Sequence, residues 1–271
     1  TRWIQKEKFV LDWCFQKVET ESFLYLFDDD FLLVNYLITF IKSKNFKEIN
    51  QSKFISFNRG LVLSDVKKKS YSLKIPKFDS KVYTYSSKSH LKNIFNNNKI
   101  FLNTPMVTNT IFRKSFLSNL KKKYNTLSHF GHMGDYTLSC MMLTNSKNFA
   151  YINFPLVIYR EWKENTSVQI HQQKTTMSEY LIWINNFKKK YSHQMPLNIF
   201  LWSNCVYVAL NNIAKILKIN LSVSKNGYLK TINDEIASLE NLNKKKYHFS
   251  KKELKKYLKE NKLFIKNLET K

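Results

Sequence analysis

The chain has 271 residues, 43% of them hydrophobic and 15% aromatic, which is enough apolar material for a large core and excludes a wholly disordered chain. Its formal charge of +25 first suggests a nucleic-acid or anionic-lipid partner, but 41 of the 45 basic residues are lysine, whereas base and phosphate readers favour the arginine fork. The charge is also spread out, with 26 basic and 13 acidic residues over 1–171 and 19 and 7 over 172–271, so no nucleic-acid footprint is expected.

In chain order, Trp3, Phe9, Val10, Trp13, Phe15 and Val18 recur at helical spacing and predict an amphipathic helix over 3–18. Phe23 to Phe27 is a continuous apolar run, the pattern of a strand buried on both faces in a parallel sheet, and it stops at Asp28-Asp29-Asp30. Residues 31–42 resume a helical period. Residues 53–63 read as a strand, or a pair of strands around a turn at Asn58-Arg59-Gly60. The Lys-, Ser- and Asn-rich stretch 64–100 reads as an irregular insert with edge strands near 71–75 and 81–85. A helix is expected from Arg113 to Lys123, another from Asp135 to about Leu143, and a closing strand over Tyr151–Ile158. Helix, strand, acidic turn and helix together make an α/β reading.

From about 172 the pattern turns to long helices at 174–191, 197–218 and 228–242. The second is very apolar but is interrupted by Asn198, Asn204, Asn211, Asn212 and Lys215, which favours a packed helix over a membrane span. Ser250 and Glu253 form a capping box that opens a Lys-rich final helix. Cys14, Cys140 and Cys205 fit neither a disulfide framework nor a zinc motif, which points to a reducing, cytoplasmic setting.

The acidic triplet is the most informative feature. Three adjacent carboxylates at the end of a strand repel one another unless a cation compensates them, and strand ends of α/β sheets are where ligands bind. Carboxylate oxygens suit Mg²⁺ or Mn²⁺. The plain alternative is a solvated turn capping the helix that follows. Asp135 has a similar ambiguity, as a reactive carboxylate or as a helix cap whose N-terminal position favours the ionised form. His129 and His132 form either a metal-binding pair or ordinary loop residues.

The run Phe23-Leu24-Tyr25-Leu26-Phe27-Asp28-Asp29-Asp30-Phe31 resembles the strand and DxD motif of nucleotide-sugar glycosyltransferases with the GT-A fold, in the DDDF form of bacterial family-2-like members. Three further landmarks follow in the family's order. Asn109 to Leu117 resembles the segment where an acceptor-side strand leads into a helix. Gly134-Asp135-Tyr136-Thr137-Leu138 resembles the acidic motif with its helix. Leu156-Val157-Ile158-Tyr159-Arg160 resembles the later strand ending in Tyr-Arg. The resemblance implies a GT-A core over 1–171, N-terminally incomplete because only 27 residues precede Asp28, followed by a helical extension over 172–271.

The resemblance further implies that Asp28 and Asp30 hold Mn²⁺ or Mg²⁺, with Asp29 beside them on the donor. It implies that Asp135 takes the proton of the attacking hydroxyl in an inverting reaction. Arg160 either reaches the donor pyrophosphate or pairs with a carboxylate near it. Where many relatives have a metal-binding His after Tyr-Arg, this chain has Glu161-Trp162-Lys163-Glu164, leaving Glu164 and His171 as candidates. The implied activity is transfer from a nucleotide-sugar donor to a hydroxyl of a glycan or lipid-linked acceptor, in surface polysaccharide assembly at the inner face of the cell membrane. Helix 251–260 then offers a peripheral membrane contact, or simply a solvated Lys-rich face.

Two other classes compete. A metal-dependent nucleotidyl or phosphoryl transferase would also use an acidic cluster, but a phosphate-cradling loop is hard to build from four glycines. A non-catalytic basic binding protein predicts clustered charge, which is absent from the sequence.

Overall fold

A computed structural model describes residues 11–26, 30–49, 51–65, 70–74, 79, 81–101, 103–127, 134–161 and 202–242. The predicted helices at 174–191 and beyond 250, and the start of that at 197–218, lie outside the described residues. The chain divides into two compact units, one of Arg2–Asn93 with Ile100–Asn165, the other centred on Thr166–Lys271 and including Ile94–Lys99.

The first unit is built on a mixed seven-stranded sheet. Its elements are a helical stretch α1 (11–16), β1 (Ser22–Leu24), β2 (Phe31–Leu32), α2 (Val34–Lys42), α3 (Lys44–Ile49), β3 (Phe54–Asp65), β4 (Ser70–Lys74), β5 (Val82–Ser86) and α4 (Ser87–Asn97). A short 3₁₀ turn at Val107–Asn109 leads into β6 (Thr110–Arg113), followed by α5 (Lys114–Tyr124), α6 (Gly134–Thr144) and β7 (Asn148–Glu161).

The long strands β3 and β7 run parallel at the centre, from Ile55 opposite Ala150 to Leu63 opposite Glu161. Their early halves are flanked by antiparallel β6 and β5, and their later halves by β4 and β2. Strand alternation sends two apolar sets to opposite faces. Ile55, Phe57, Ile111 and Ile152 form one core with Phe40 of α2 and Ile49 of α3. On the other face Phe54 stacks between Phe116 of α5 and Phe149, at centroid distances of 5.6 and 5.7 Å.

Three expectations need correction. β1 is neither parallel-paired nor buried on both faces: it is a half-buried strand whose one partner among the described residues is antiparallel β6. Its unbroken apolar run has another cause, since Phe23 and Tyr25 share a face and pack on Phe112 at 5.6 and 5.5 Å, while Leu26 is exposed. Residues 58–60 do not turn the chain. β3 continues through them, and a β-bulge absorbs the irregularity where Phe57 faces Ile152, Asn58 faces Pro155 and Arg59 faces Val157. The extra residues lie on β7, where Pro155 has no N–H to give a ladder. Finally, the supposed irregular insert contains α4, whose His90, Leu91, Ile94 and Phe95 are buried.

In the second unit α7 (Trp202–Leu217) and α8 (Lys225–Leu242) pack together. The asparagines that interrupt the apolar pattern of α7 are satisfied: Asn204 accepts a bond from Tyr228, Asn212 donates to the Val208 carbonyl at 2.8 Å, and Asn211 accepts from the Val223 N–H at 3.2 Å. Glu235 of α8 caps α7 by accepting from the backbone N–H groups of Trp202 and Ser203 at 2.7 and 2.8 Å. Gly227 lies against the last turn of α4, which belongs to this second unit from Ile94 on, and a Cβ there would fall 1.9 Å from the Asn96 carbonyl oxygen. Among the described residues no helix is long and apolar enough to cross a membrane.

Two stability outcomes follow. Phe57→Ala empties a fully buried site at the parallel ladder and lowers unfolding free energy by about 3–5 kcal/mol in urea titrations. His90 is buried and bonded to Thr104 Oγ1 at 2.8 Å, and burial lowers its pKa from 6.5 to about 4. The unfolded chain therefore binds more protons between those values, so His90 makes stability fall as pH drops from 6.5 toward 4. Comparing unfolding midpoints across that window, His90→Gln should flatten the slope.

Candidate active site

β1, β3 and β7 all point the same way, because β1 and β3 are each antiparallel to β6 and β7 is parallel to β3. The site lies toward their C-terminal ends, where ligands gather on open α/β sheets. Here β3 has lost β6 at Ser56 and does not meet β4 until Leu61. The 3₁₀ turn stands in that gap. Asn109 donates from Nδ2 to the Phe57 and Thr104 carbonyls at 3.2 and 3.1 Å, and its Oδ1 accepts the Met106 N–H at 2.7 Å. Asn109, the first residue of the second landmark, is thus a clamp for the loop.

The bulge sets Arg59 into the same gap. Asn58 is held by its Nδ2 bond to Asn153 Oδ1 at 2.8 Å, and its own Oδ1 accepts the Arg59 N–H at 2.8 Å. Arg59 donates from Nη1 to Thr108 Oγ1 at 2.8 Å, and its guanidinium lies 5.5 Å from the Tyr159 ring centre, a cation–π distance.

Asp135 enters from α6, in the first turn of the helix. The helix is fastened to the preceding loop by Ser139, whose hydroxyl is 2.6 Å from both the Pro105 and Asp135 carbonyls. Burial raises the Asp135 carboxyl above the ordinary aspartate value, and the neighbouring Arg59 cation pulls it partly back. Desolvation is the larger of the two influences on this carboxyl and Arg59 the smaller. Such a carboxylate is a better proton acceptor than an exposed one.

Asp30 is the described member of the acidic triplet, and it is buried. It immediately precedes β2, where Phe31 faces Ile158 and Leu32 faces Val157 in antiparallel register. Carried one residue back, that register sets Asp30 beside Tyr159. Arg59 thus meets Thr108, Tyr159 and the field of Asp135 at one end of the sheet, and the β2 register points Asp30 to that same end, although these residues are far apart in sequence. Asp28, Asp29, His129, His132, Glu164 and His171 lie outside the described residues. Arg160 is on β7 at the register position opposite Val62, one residue beyond Tyr159.

The all-oxygen donor set of the triplet fits a hard divalent ion. Among the described residues no group of three or more His, Cys, Asp or Glu gathers as a metal cage, so Asp30 alone of the expected ligands is placed at the site. A pocket of about 650 Å³ lies at the opposite end of the strands, lined by Glu21, Lys53, Arg113, Ser115, Lys123 and Asn145 among others. Its lysines donate to Asn145 and its Glu21 accepts from Ser115, and it shares Arg113 and Ser115 with the second landmark but none of Arg59, Thr108, Asp135 or Tyr159.

Sequence reading gave Arg59 only as part of a turn and Tyr159 only as part of the Tyr-Arg landmark, and it did not single out Thr108. Arg59 carried a usable signal, being one of four arginines in a chain of 41 lysines and standing within an apolar strand. Thr108 carried none. No family model matches the chain, and no curated protein is significantly similar to it.

The Arg59–Asp135 pairing has a measurable consequence. In Arg59→Leu burial acts on Asp135 unopposed, and its carboxyl pKa rises further, which a carboxyl-carbon NMR titration reads directly. A raised folded-state pKa costs stability as pH climbs from the unfolded value of about 3.8 through the folded one. The stability deficit of Arg59→Leu should therefore grow over that rise. A deficit independent of pH would remove the electrostatic coupling.

Proposed function

We propose that the chain is a metal-dependent glycosyltransferase that moves a sugar from a nucleotide-sugar donor to a hydroxyl of a glycan or lipid-linked acceptor with inversion. The observation that carries this reading is the gathering of Asp30, Arg59 and Asp135 at one end of the sheet. The elements that bear the family landmarks also support it: β6 leads directly into α5, Gly134 and Asp135 open α6, and Tyr159-Arg160 lies near the end of β7. The observed architecture is mixed α/β; its assignment to the GT-A fold belongs to this proposal.

In this reading Asp135 accepts the proton of the acceptor hydroxyl as that oxygen attacks the donor sugar. Its buried setting keeps it basic enough for the task. Arg59, held in place by Thr108 and Tyr159, provides a planar cation next to the reacting region, suited to a departing diphosphate. Arg160 and Asp29 are assigned to the donor side. Asp28 and Asp30 would hold Mn²⁺ or Mg²⁺, which supplies charge neutralisation for the leaving diphosphate.

Calorimetric titration of a nucleotide-sugar panel with and without Mn²⁺ tests the donor side. Binding of one donor should require the ion and should vanish in Asp28→Ala and in Asp30→Ala. Absence of ion-dependent binding across the panel would refute the reading. In a transfer assay, Asp135→Asn should slow turnover by about 10²–10⁴-fold while donor affinity is nearly unchanged. Full transfer by that variant would remove Asp135 from the base role.

A further inference from the structure

α2 is more apolar than its place in the fold requires. One stripe, Leu37 and Phe40, faces the sheet core. A second, Val34, Ile38 and Ile41, follows at the same helical spacing and is 52%, 44% and 45% exposed, and Phe31 just ahead of the helix is 49% exposed. The remainder holds Asn35, Thr39 and Lys42, together with Tyr36, which is 47% exposed and lies against Phe154. Among the described residues of α2 and α3 the exposed charges are Lys42, Lys44, Lys47 and Glu48, the last 3.8 Å from Lys44.

We propose that this face, from Phe31 through Lys47, is a docking surface for an anionic lipid bilayer. A three-residue apolar stripe with a lysine rim is the pattern of a helix that lies in a headgroup interface, apolar side chains inserted and ammonium groups among the phosphates. The rim decides between occupants. A second copy meeting this face through a two-fold contact would set lysines against lysines, whereas an anionic surface turns the same rim into attraction. The inference is independent of the glycosyltransferase reading, and its test measures no sugar transfer.

The test is co-flotation of the full chain with vesicles of phosphatidylcholine alone and of equal parts phosphatidylcholine and phosphatidylglycerol. The Val34→Ser, Ile38→Ser, Ile41→Ser variant keeps the net charge, so binding by overall charge alone is unaffected by it. The expected result is binding to the anionic vesicles, weakened about tenfold or more by the serine variant and similarly by Lys42→Gln with Lys44→Gln and Lys47→Gln. Circular dichroism checks that each variant is folded, and the serine variant, which leaves the net charge unchanged, decides the outcome. No binding of the parent chain, or binding equal in the folded serine variant, overturns the proposal. Self-association in sedimentation velocity that the serine variant abolishes also overturns it, assigning the face to a second copy.

Discussion

The parallel ladder between β3 and β7 is the constraint on which the first unit depends. Both strands are too long for a single flanking partner, so each changes neighbours part-way along, and the bulge at Phe57–Arg59 marks the change. Before the bulge, aromatic and branched residues close two apolar faces. After it, the partner side of β3 is open over a few residues, and polar side chains from the 3₁₀ turn occupy the opening. A sheet that stayed regular through this point would have no place for a half-buried guanidinium. The irregularity in pairing is therefore what creates a polar site inside an otherwise apolar framework.

The chemistry of that site follows from what is forced together. A carboxyl in a desolvated position tends toward its neutral form, and a nearby guanidinium opposes that tendency. Arg59 consequently moderates the carboxyl of Asp135, and Thr108 and Tyr159 hold the guanidinium that does so. Asp30 brings a further carboxylate to the same edge through the short pairing of β2 with β7. An acid, a cation and a second acid held at strand ends suit the handling of a substrate that is itself charged.

Much of this was legible in the sequence, for identifiable reasons. The helices read over 113–123 and 135–143 match α5 and α6 to within a residue or two, and the dense apolar residues of 53–63 marked β3. The site carboxylates stood out because Asp is rare in such settings. What was hidden depended on pairing. Asn58-Arg59-Gly60 has turn composition, and only the partner strand reveals a bulge. α4 was masked by Ser, Lys and Asn on its exposed side, with its buried face formed by His90, Leu91, Ile94 and Phe95. The antiparallel β1 looked parallel because aromatic stacking on Phe112 fills the run that burial on both faces would otherwise explain.

The central proposal is that Asp30 joins Arg59 and Asp135 in one site toward the C-terminal ends of β3 and β7. Paramagnetic broadening by Mn²⁺ in the presence of a nucleoside diphosphate, followed in backbone amide NMR spectra, tests it most directly. The account predicts strong broadening at Asp30, Arg59, Asp135 and Tyr159, with Lys53, Arg113 and Lys123 at the opposite end of the strands unaffected. Broadening at that opposite end, or none at Asp135 and Arg59 while Asp30 is broadened, would contradict it.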